Sequence, residues 1–291
     1  MPSQTSQHVS DDHASPKDSR QDEGWTRVTA KSRAGRRNKV AKARELPIKV
    51  RTDGLSPASE LLADYHRMRP QWELQTCCRR MRELLAKNAG GLKTVSRAIN
   101  LGNGTFDPHQ AAWDGKRCSF VQLIAFTIMV EDLENITGSK IKTVFQDPAF
   151  TTSDKEFLAS LGHRVVEAPA AMALVDEDAF VFGIHLYREV YAEALEKSLP
   201  AILIGTGYSV WEEILDTDKL DRVEEVDRTY RRNPFPQETH GGALYGTFMY
   251  WRPGIETQAE SSGVVVKEDT KEKPEETEDL SKKLEATSLG D

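Results

Sequence analysis

The sequence predicts an α/β fold: a Rossmann-like, doubly wound and mostly parallel sheet, with an N-terminal helical arm and disordered tails. Short apolar segments that suit buried strands alternate with helical segments between residues 94 and 215. The first of these segments ends in Gly102-Asn103-Gly104, a turn of the kind that follows the first strand of such domains. Both ends of the chain are polar and highly charged, which is typical of disordered segments.

The composition predicts three divisions of the 291-residue chain. They are a disordered basic arm over residues 1–54, an α/β domain over 55–255 and a disordered acidic tail over 256–291. Within the domain we expect a helical lead-in over 57–90, a core over 94–215 and an edge strand over 243–251. About 200 residues are enough for one such domain.

Charge is unevenly spread, although the net charge is only −7. Between Trp25 and Arg51 the sequence has ten lysines and arginines and a single acid, Glu45. A basic arm over 25–51 can bind nucleic acid, an anionic surface or an import receptor, or it can be a solvated tail. Three cysteines give no disulfide framework, which favours a reducing compartment, and no apolar run has membrane-spanning length. We expect an intracellular protein that does not enter a membrane.

Helical spacing predicts two helices before the sheet. Leu61, Tyr65 and Met68 recur at helical intervals, and we expect Pro70 to end that helix. A second helix is predicted from Trp72 to about Asn88.

The remaining elements follow in alternation. Strands are predicted over residues 95–101, 141–145, 164–166, 179–184 and 201–204. Ser119 is the predicted N-cap of an all-apolar helix, and Ser153 with Glu156 predicts a capping box for another. A helix is expected over 187–197, a short one around Trp211, and a polar excursion over 216–242.

Right-handed crossovers place the ends of the predicted parallel strands along one edge of the sheet, where ligands bind in this class of fold. The candidate cofactor-binding residues at that edge are Gly102, Asn103, Gly104, Asp147, His185, Gly205 and Gly207. No residue is assigned a catalytic role and no metal-ligand cluster is found.

An ordered set of short motifs between about Thr94 and Glu213 resembles the "sensitivity to red light reduced" domain family, in a fungal-type member. The motifs are Leu101-Gly-Asn-Gly-Thr-Phe106, Gln122-Leu123, Asp147-Pro-Ala-Phe150, Leu161-Gly162, His185 and Ile204-Gly205. Two departures stand out. Ile184-His185-Leu186 replaces the family's Pro-His-Cys, and Gly205-Thr206-Gly207 replaces its Gly-Asn-Ser.

The resemblance implies a regulatory protein of cytoplasm and nucleus with protein partners. Family members are associated with circadian and light-signalling output in plants, and with heme-biosynthesis control and clock-gene expression in animals. No settled enzymatic activity is attached to the family, so the resemblance favours a protein that is not an enzyme.

The candidate residues themselves allow several interpretations, and the cofactor is unknown. Gly102 and Gly104 with Asp147 have the order of a nucleotide or S-adenosylmethionine site, or they form structural turns. The third glycine of the dinucleotide fingerprint is missing, and Asp147 lies farther along than the usual spacing of about 20 residues. His185 is a candidate general base or heme ligand, or a histidine bonded to backbone. His163 follows a predicted helix end and receives a structural interpretation.

Overall fold

A seven-stranded sheet forms the centre of the part of the chain described by the computed structural model, namely residues 50–89, 95–109, 113–213, 218–238 and 241–253. The chain divides into two compact units, Met1–Pro47 and Ile48–Asp291, and every described residue lies in the second. The predictions for the acidic tail, and for the basic arm before Val50, lie outside the described residues.

The strands have the order β3-β2-β1-β4-β5-β7-β6. They are β1 (Arg97–Leu101), β2 (Lys142–Gln146), β3 (Arg164–Val165), β4 (Ala179–Gly183), β5 (Ile202–Thr206), β6 (Arg231–Pro234) and β7 (Thr247–Trp251). The first five are parallel, and β7 runs antiparallel to both of its neighbours, β5 and β6. The predicted fold class, a mostly parallel Rossmann-like sheet with helices before it, is confirmed.

Helices cover both faces of the sheet. They are α1 (Ala58–Glu73), α2 (Thr76–Ala89), α3 (Trp113–Thr137), α4 (Thr152–Ser160), α5 (Arg188–Leu195), α6 (Tyr208–Glu213) and α7 (Asp221–Thr229). One hydrophobic core lies between the sheet and α1 to α4, and a second lies between the opposite face and α5 to α7. Within the described ranges, no helix has both the length and the apolar character needed to cross a membrane.

The long helix α3 is apolar all round because it is covered on both sides. It packs against the sheet and also against α1 and α2, and its residues Phe120–Phe126 are all buried. Ser119 lies inside this helix, where its hydroxyl donates to the carbonyl oxygen of Gly115 at 3.2 Å. The prediction that Ser119 is the N-cap is therefore wrong, because Ser119 is preceded by helical residues from Trp113 onward.

The prediction that Pro70 ends the first helix is also wrong, since α1 continues through it to Glu73. Contacts around Arg69 hold this turn in place: its Nε donates to Glu73 at 2.8 Å and its guanidinium pairs with Glu131 of α3. These contacts offset the loss of one intrahelical hydrogen bond at the proline. Trp72, predicted in the second helix, is buried near the end of the first.

The edge of the sheet also differs from the prediction. Residues 247–251 form β7, which lies between β5 and β6 and not at the edge. The edge strand on this side of the sheet is β6, and β3 is at the opposite edge. β6 comes from the stretch predicted as a polar excursion, which also contains α7. The sequence Arg-Arg-Asn-Pro of β6 lacks an apolar pattern because the strand is largely exposed. Charged residues and proline are common on edge strands, where they discourage pairing with other chains.

Candidate functional site

The carboxyl ends of the parallel strands meet at one edge, and the predicted site residues lie along it. Gly102 follows β1, Asp147 follows β2 and His185 follows β4, while Gly205 lies near the end of β5. The strand order reverses between β1 and β4, which makes the gap between their ends the topological switch point. In open α/β sheets, ligands bind in the crevice at this point.

In this protein the crevice is filled by the side chain of Leu186. A Cβ atom added to Gly102 would lie 2.2 Å from Leu186 Cδ2, and one added to Gly183 would lie 2.5 Å from Leu186 Cδ1. Leu186 is only 7% exposed and belongs to the second core. The two glycines are therefore required by an internal contact, because a leucine side chain packs directly over their backbones.

The conformation of His185 directs Leu186 into the crevice. His185 has φ of +56°, in the left-handed region that costs a residue other than glycine about 1–3 kcal/mol. Its N–H donates to the Thr206 hydroxyl at 3.2 Å, and its ring Nε2 lies 2.6 Å from the carbonyl oxygen of Tyr245. The carbonyl can only accept, so Nε2 carries the proton and the exposed ring is bonded to backbone.

Gly104 and Asp147 are brought together, but they bind each other. The N–H of Gly104 donates to Asp147 Oδ2 at 2.7 Å, and the N–H of Ala149 donates to Oδ1 at 2.7 Å. Burial raises the pKa of the Asp147 carboxyl, and the two N–H groups oppose that rise. The carboxylate that would hold ribose hydroxyls in a dinucleotide site thus braces the turn after β1.

A second carboxylate bonded to this loop, Asp154 of α4, is fully buried and was missed by the sequence analysis. It accepts hydrogen bonds from the Thr105 hydroxyl at 2.7 Å and from the N–H of Phe106 at 3.0 Å. It also accepts from the N–H and hydroxyl of Thr151, forming a capping box at the start of α4. The capping box predicted at Ser153 and Glu156 is wrong by two residues; the pattern Thr-x-x-Asp beginning at Thr151 could have identified it.

The segment before α1 is joined to the same loop. Asp107 forms an ion pair with Arg51 and accepts from the N–H of Ser56 at 2.8 Å. Arg51 is one of the ten basic residues predicted in the arm, and its guanidinium is paired with a carboxylate of the domain.

The other predicted residues also make internal contacts. Asn103 is buried, and its amide donates to the Ser119 carbonyl oxygen at 3.2 Å. A Cβ on Gly205 would lie 2.9 Å from the hydroxyl of Tyr191, and one on Gly207 would lie 2.5 Å from the ring of Phe248. The structure therefore gives each of these residues a packing role, and a cofactor-binding role for them stays a prediction.

Tyr191 links the ends of two central strands. Its hydroxyl donates to the Gly183 carbonyl oxygen and accepts from the N–H of Thr206 at 2.8 Å. Burial raises the pKa of Tyr191 to about 12. The phenol thus remains neutral at physiological pH and keeps β4 and β5 in register at their carboxyl ends.

An open cleft of about 310 Å³ lies beside Asp147. Its walls come from the segment before α1, the loop after β2, the first turn of α4 and the residues after β3. The polar side chains at the cleft are Arg51, Thr52, Asp147, Thr152, Lys155 and Glu167. No cluster of histidine, cysteine or acidic residues suited to a metal occurs in the part of the chain that the structure describes.

Comparison with known proteins identifies the family. The family model described as the SRR1 domain matches residues 81–284. The chain belongs to the SRR1 domain family. This agrees with the family resemblance of the motifs between Thr94 and Glu213.

Among solved structures, the chain is similar to the SAH-bound Podospora anserina methyltransferase PaMTH1. The identity is 14%, the match covers 68% of this chain and 97% of the other, and the TM-score is 0.31. A similarity at this level carries no argument about function. No curated protein matches the chain.

Proposed function

We propose that this SRR1-domain protein is a regulator that acts by binding partners and catalyses no reaction. The roles that the family implies are circadian or light-signalling output, or control of heme biosynthesis, exercised in the cytoplasm and nucleus. We further propose that it is a fungal-type member of the family.

The observation that supports this proposal most strongly is the filled switch point. Leu186 packs over Gly102 and Gly183 in the crevice where ligands bind in a fold of this class. The resemblance to the family motif places Leu186 where other members have cysteine, so any chemistry of that thiol is absent here. A cofactor could enter only after displacement of a buried leucine.

The same edge of the sheet offers a surface for a protein partner. Tyr187 is 78% exposed and Tyr245 is 72% exposed, and the carbonyl oxygen of Tyr245 is bonded to His185. Tyrosine is enriched at the centres of protein interfaces because it buries a large apolar area and keeps a hydrogen-bonding hydroxyl. We therefore propose that a protein partner binds over these two side chains.

Equilibrium dialysis against S-adenosylmethionine and NAD tests the absence of a cofactor. We expect no saturable binding of either compound by the intact chain at about 1 mM, a concentration well above the Kd of an enzyme cofactor. Saturable binding that is lost in a folded Gly104→Val variant would support the alternative, a nucleotide- or S-adenosylmethionine-dependent enzyme. It would contradict the proposal.

A co-immunoprecipitation series tests the partner surface. We expect Tyr245→Ala to reduce recovery of the bound protein at least fivefold, because the ring would be part of the interface. The matched control is Leu74→Ala, since Leu74 is 89% exposed and lies at the end of α1, away from this edge. Equal recovery with both variants would contradict the proposed surface.

A heme-responsive regulator is the second candidate function. It is favoured by the exposed ring of His185, which uses Nε2 for Tyr245 and leaves Nδ1 available as a ligand. Titration with hemin would then shift the Soret band, and the shift would be lost in His185→Ala. A shift that persists in that variant would exclude His185 as the ligand.

Any nucleic-acid binding by the arm over 25–51 should weaken as salt rises.

A further inference from the structure

The cleft beside Asp147 combines three features that the filled switch point lacks: open volume, an anionic group and a cationic group. Its volume of about 310 Å³ lies at the lower end of the range of ligand pockets, about 300–1,000 Å³. It is at the carboxyl edge of β2 and β3, so it shares the face on which α/β sheets bind ligands. A ligand of this size is a single small molecule and not a dinucleotide.

Asp147 supplies acceptors at one side of the cleft. Each of its oxygens accepts one backbone N–H, from Gly104 and from Ala149. An ionised carboxylate has about four acceptor sites, so about two remain for a ligand. No lysine or arginine forms an ion pair with Asp147 among the described contacts. Hydroxyl groups of a ligand are suitable donors, because they would satisfy the carboxylate without displacing either backbone bond.

Lys155 supplies a cation at the other side. Its ammonium group contacts Glu167 at 2.6 Å, in an ion pair whose side chains are 41% and 81% exposed. An exposed pair of this kind contributes little to stability, so Lys155 can turn toward a stronger anion at little cost. The exposed side chain of Thr152 also lines the cleft, and its hydroxyl can donate to that anion.

We propose that this cleft binds a phosphorylated sugar, with the sugar hydroxyls donating to Asp147 and the phosphate beside Lys155 and Thr152. The apolar wall formed by Pro148 and Phe150 accommodates the carbon face of the sugar. The sugar phosphate can be free or part of a mononucleotide, since both present the same groups. The site would make the protein responsive to a metabolite, and this does not depend on Leu186 or on the partner surface.

Isothermal titration calorimetry with ribose 5-phosphate tests the proposal on the intact chain. We expect saturable binding that weakens about fivefold or more in Lys155→Gln, because a charge-assisted contact to phosphate is lost. The matched control is Lys140→Gln: Lys140 forms an ion pair with Glu134, also at 2.6 Å, but lies away from the cleft. The control should bind within twofold of the unmodified chain.

Changing the ligand tests the contact to Asp147 without disturbing the turn that this residue braces. We expect 2-deoxyribose 5-phosphate and inorganic phosphate to bind at least about fivefold more weakly than ribose 5-phosphate, because hydroxyl donors are missing. Tighter binding of AMP than of ribose 5-phosphate would identify a nucleotide site, and equal binding a free sugar phosphate; either supports the proposal. Three results would overturn the proposal. They are no binding of ribose 5-phosphate or AMP at about 10 mM, an equal loss of affinity in Lys155→Gln and Lys140→Gln, and inorganic phosphate binding as tightly as ribose 5-phosphate.

Discussion

The packing of Leu186 against Gly183 can be tested by a double-mutant cycle. Gly183 is suited to the test because it does not have a positive φ, so alanine suits its backbone conformation. The new Cβ would lie 2.5 Å from Leu186 Cδ1 and 3.3 Å from its Cγ. The Leu186 side chain would have to move out of the crevice or push the strand aside.

The structure sets the expected magnitudes. Leu186→Ala should lower the free energy of unfolding by about 3 kcal/mol, because a nearly buried leucine leaves a cavity. Gly183→Ala should lower it by about 2 kcal/mol through overpacking. In the double variant the new methyl group enters the space that Leu186 vacated. The double variant should therefore cost no more than Leu186→Ala alone, a favourable coupling of about 2 kcal/mol.

Urea denaturation of the four proteins, followed by circular dichroism, measures this coupling. The slope with denaturant should be the same for all four, so that differences in midpoint report stability. Free-energy changes that add within about 0.5 kcal/mol would refute the contact, because residues that do not touch show no coupling.

Three further predictions concern buried polar groups. Burial lowers the pKa of His163 to about 4, below its ordinary value near 6.5, so the unfolded chain gains the proton first and stability falls as pH drops from about 6.5 toward 4. Between pH 7.5 and 5 we expect the free energy of unfolding, measured by urea denaturation, to fall by about 2 kcal/mol. An equal loss in His163→Gln would contradict this prediction. Asp154→Asn should cost about 3 kcal/mol, because the amide cannot accept all the hydrogen bonds of the loop after β1, and an unchanged denaturation midpoint would argue against this bracing role. Tyr191→Phe should cost about 1.5 kcal/mol by thermal denaturation, since it leaves the Thr206 N–H without its acceptor, and a melting temperature equal to that of the unmodified chain would exclude the bridge.

The central sheet could be predicted because its strands carry their own signal. The segments around Val181 and Leu203 are buried on both faces and are continuously apolar. The segments around Ile99 and Val144 are shorter apolar runs that adjoin Asn100 and Thr143. The strand β6 and helix α7 have no such signal. Both are short and polar, and β6 exists because its backbone pairs with β7.

The position of the crevice at the carboxyl ends of the strands was predicted from topology, but the side chain that occupies it was not. Leu186 reaches the switch point because His185 adopts a left-handed backbone conformation, held by Thr206 and Tyr245. Tyr245 is 60 residues from His185 in the chain, so no local pattern encodes that conformation. The capping box of Asp154 has a local signal in Thr-x-x-Asp, but its hydrogen bonds to Thr105 and Phe106 do not, because those two residues come from a distant loop.

The most direct test of the filled switch point is a methyl NMR experiment on the intact chain. Nuclear Overhauser effects between the Leu186 methyl groups and the α-protons of Gly102 and Gly183 report the contact itself. We predict that both effects are present and remain unchanged on adding about 1 mM S-adenosylmethionine, since a filled crevice does not admit the cofactor. Their absence, or their loss when the cofactor is added, would contradict the account.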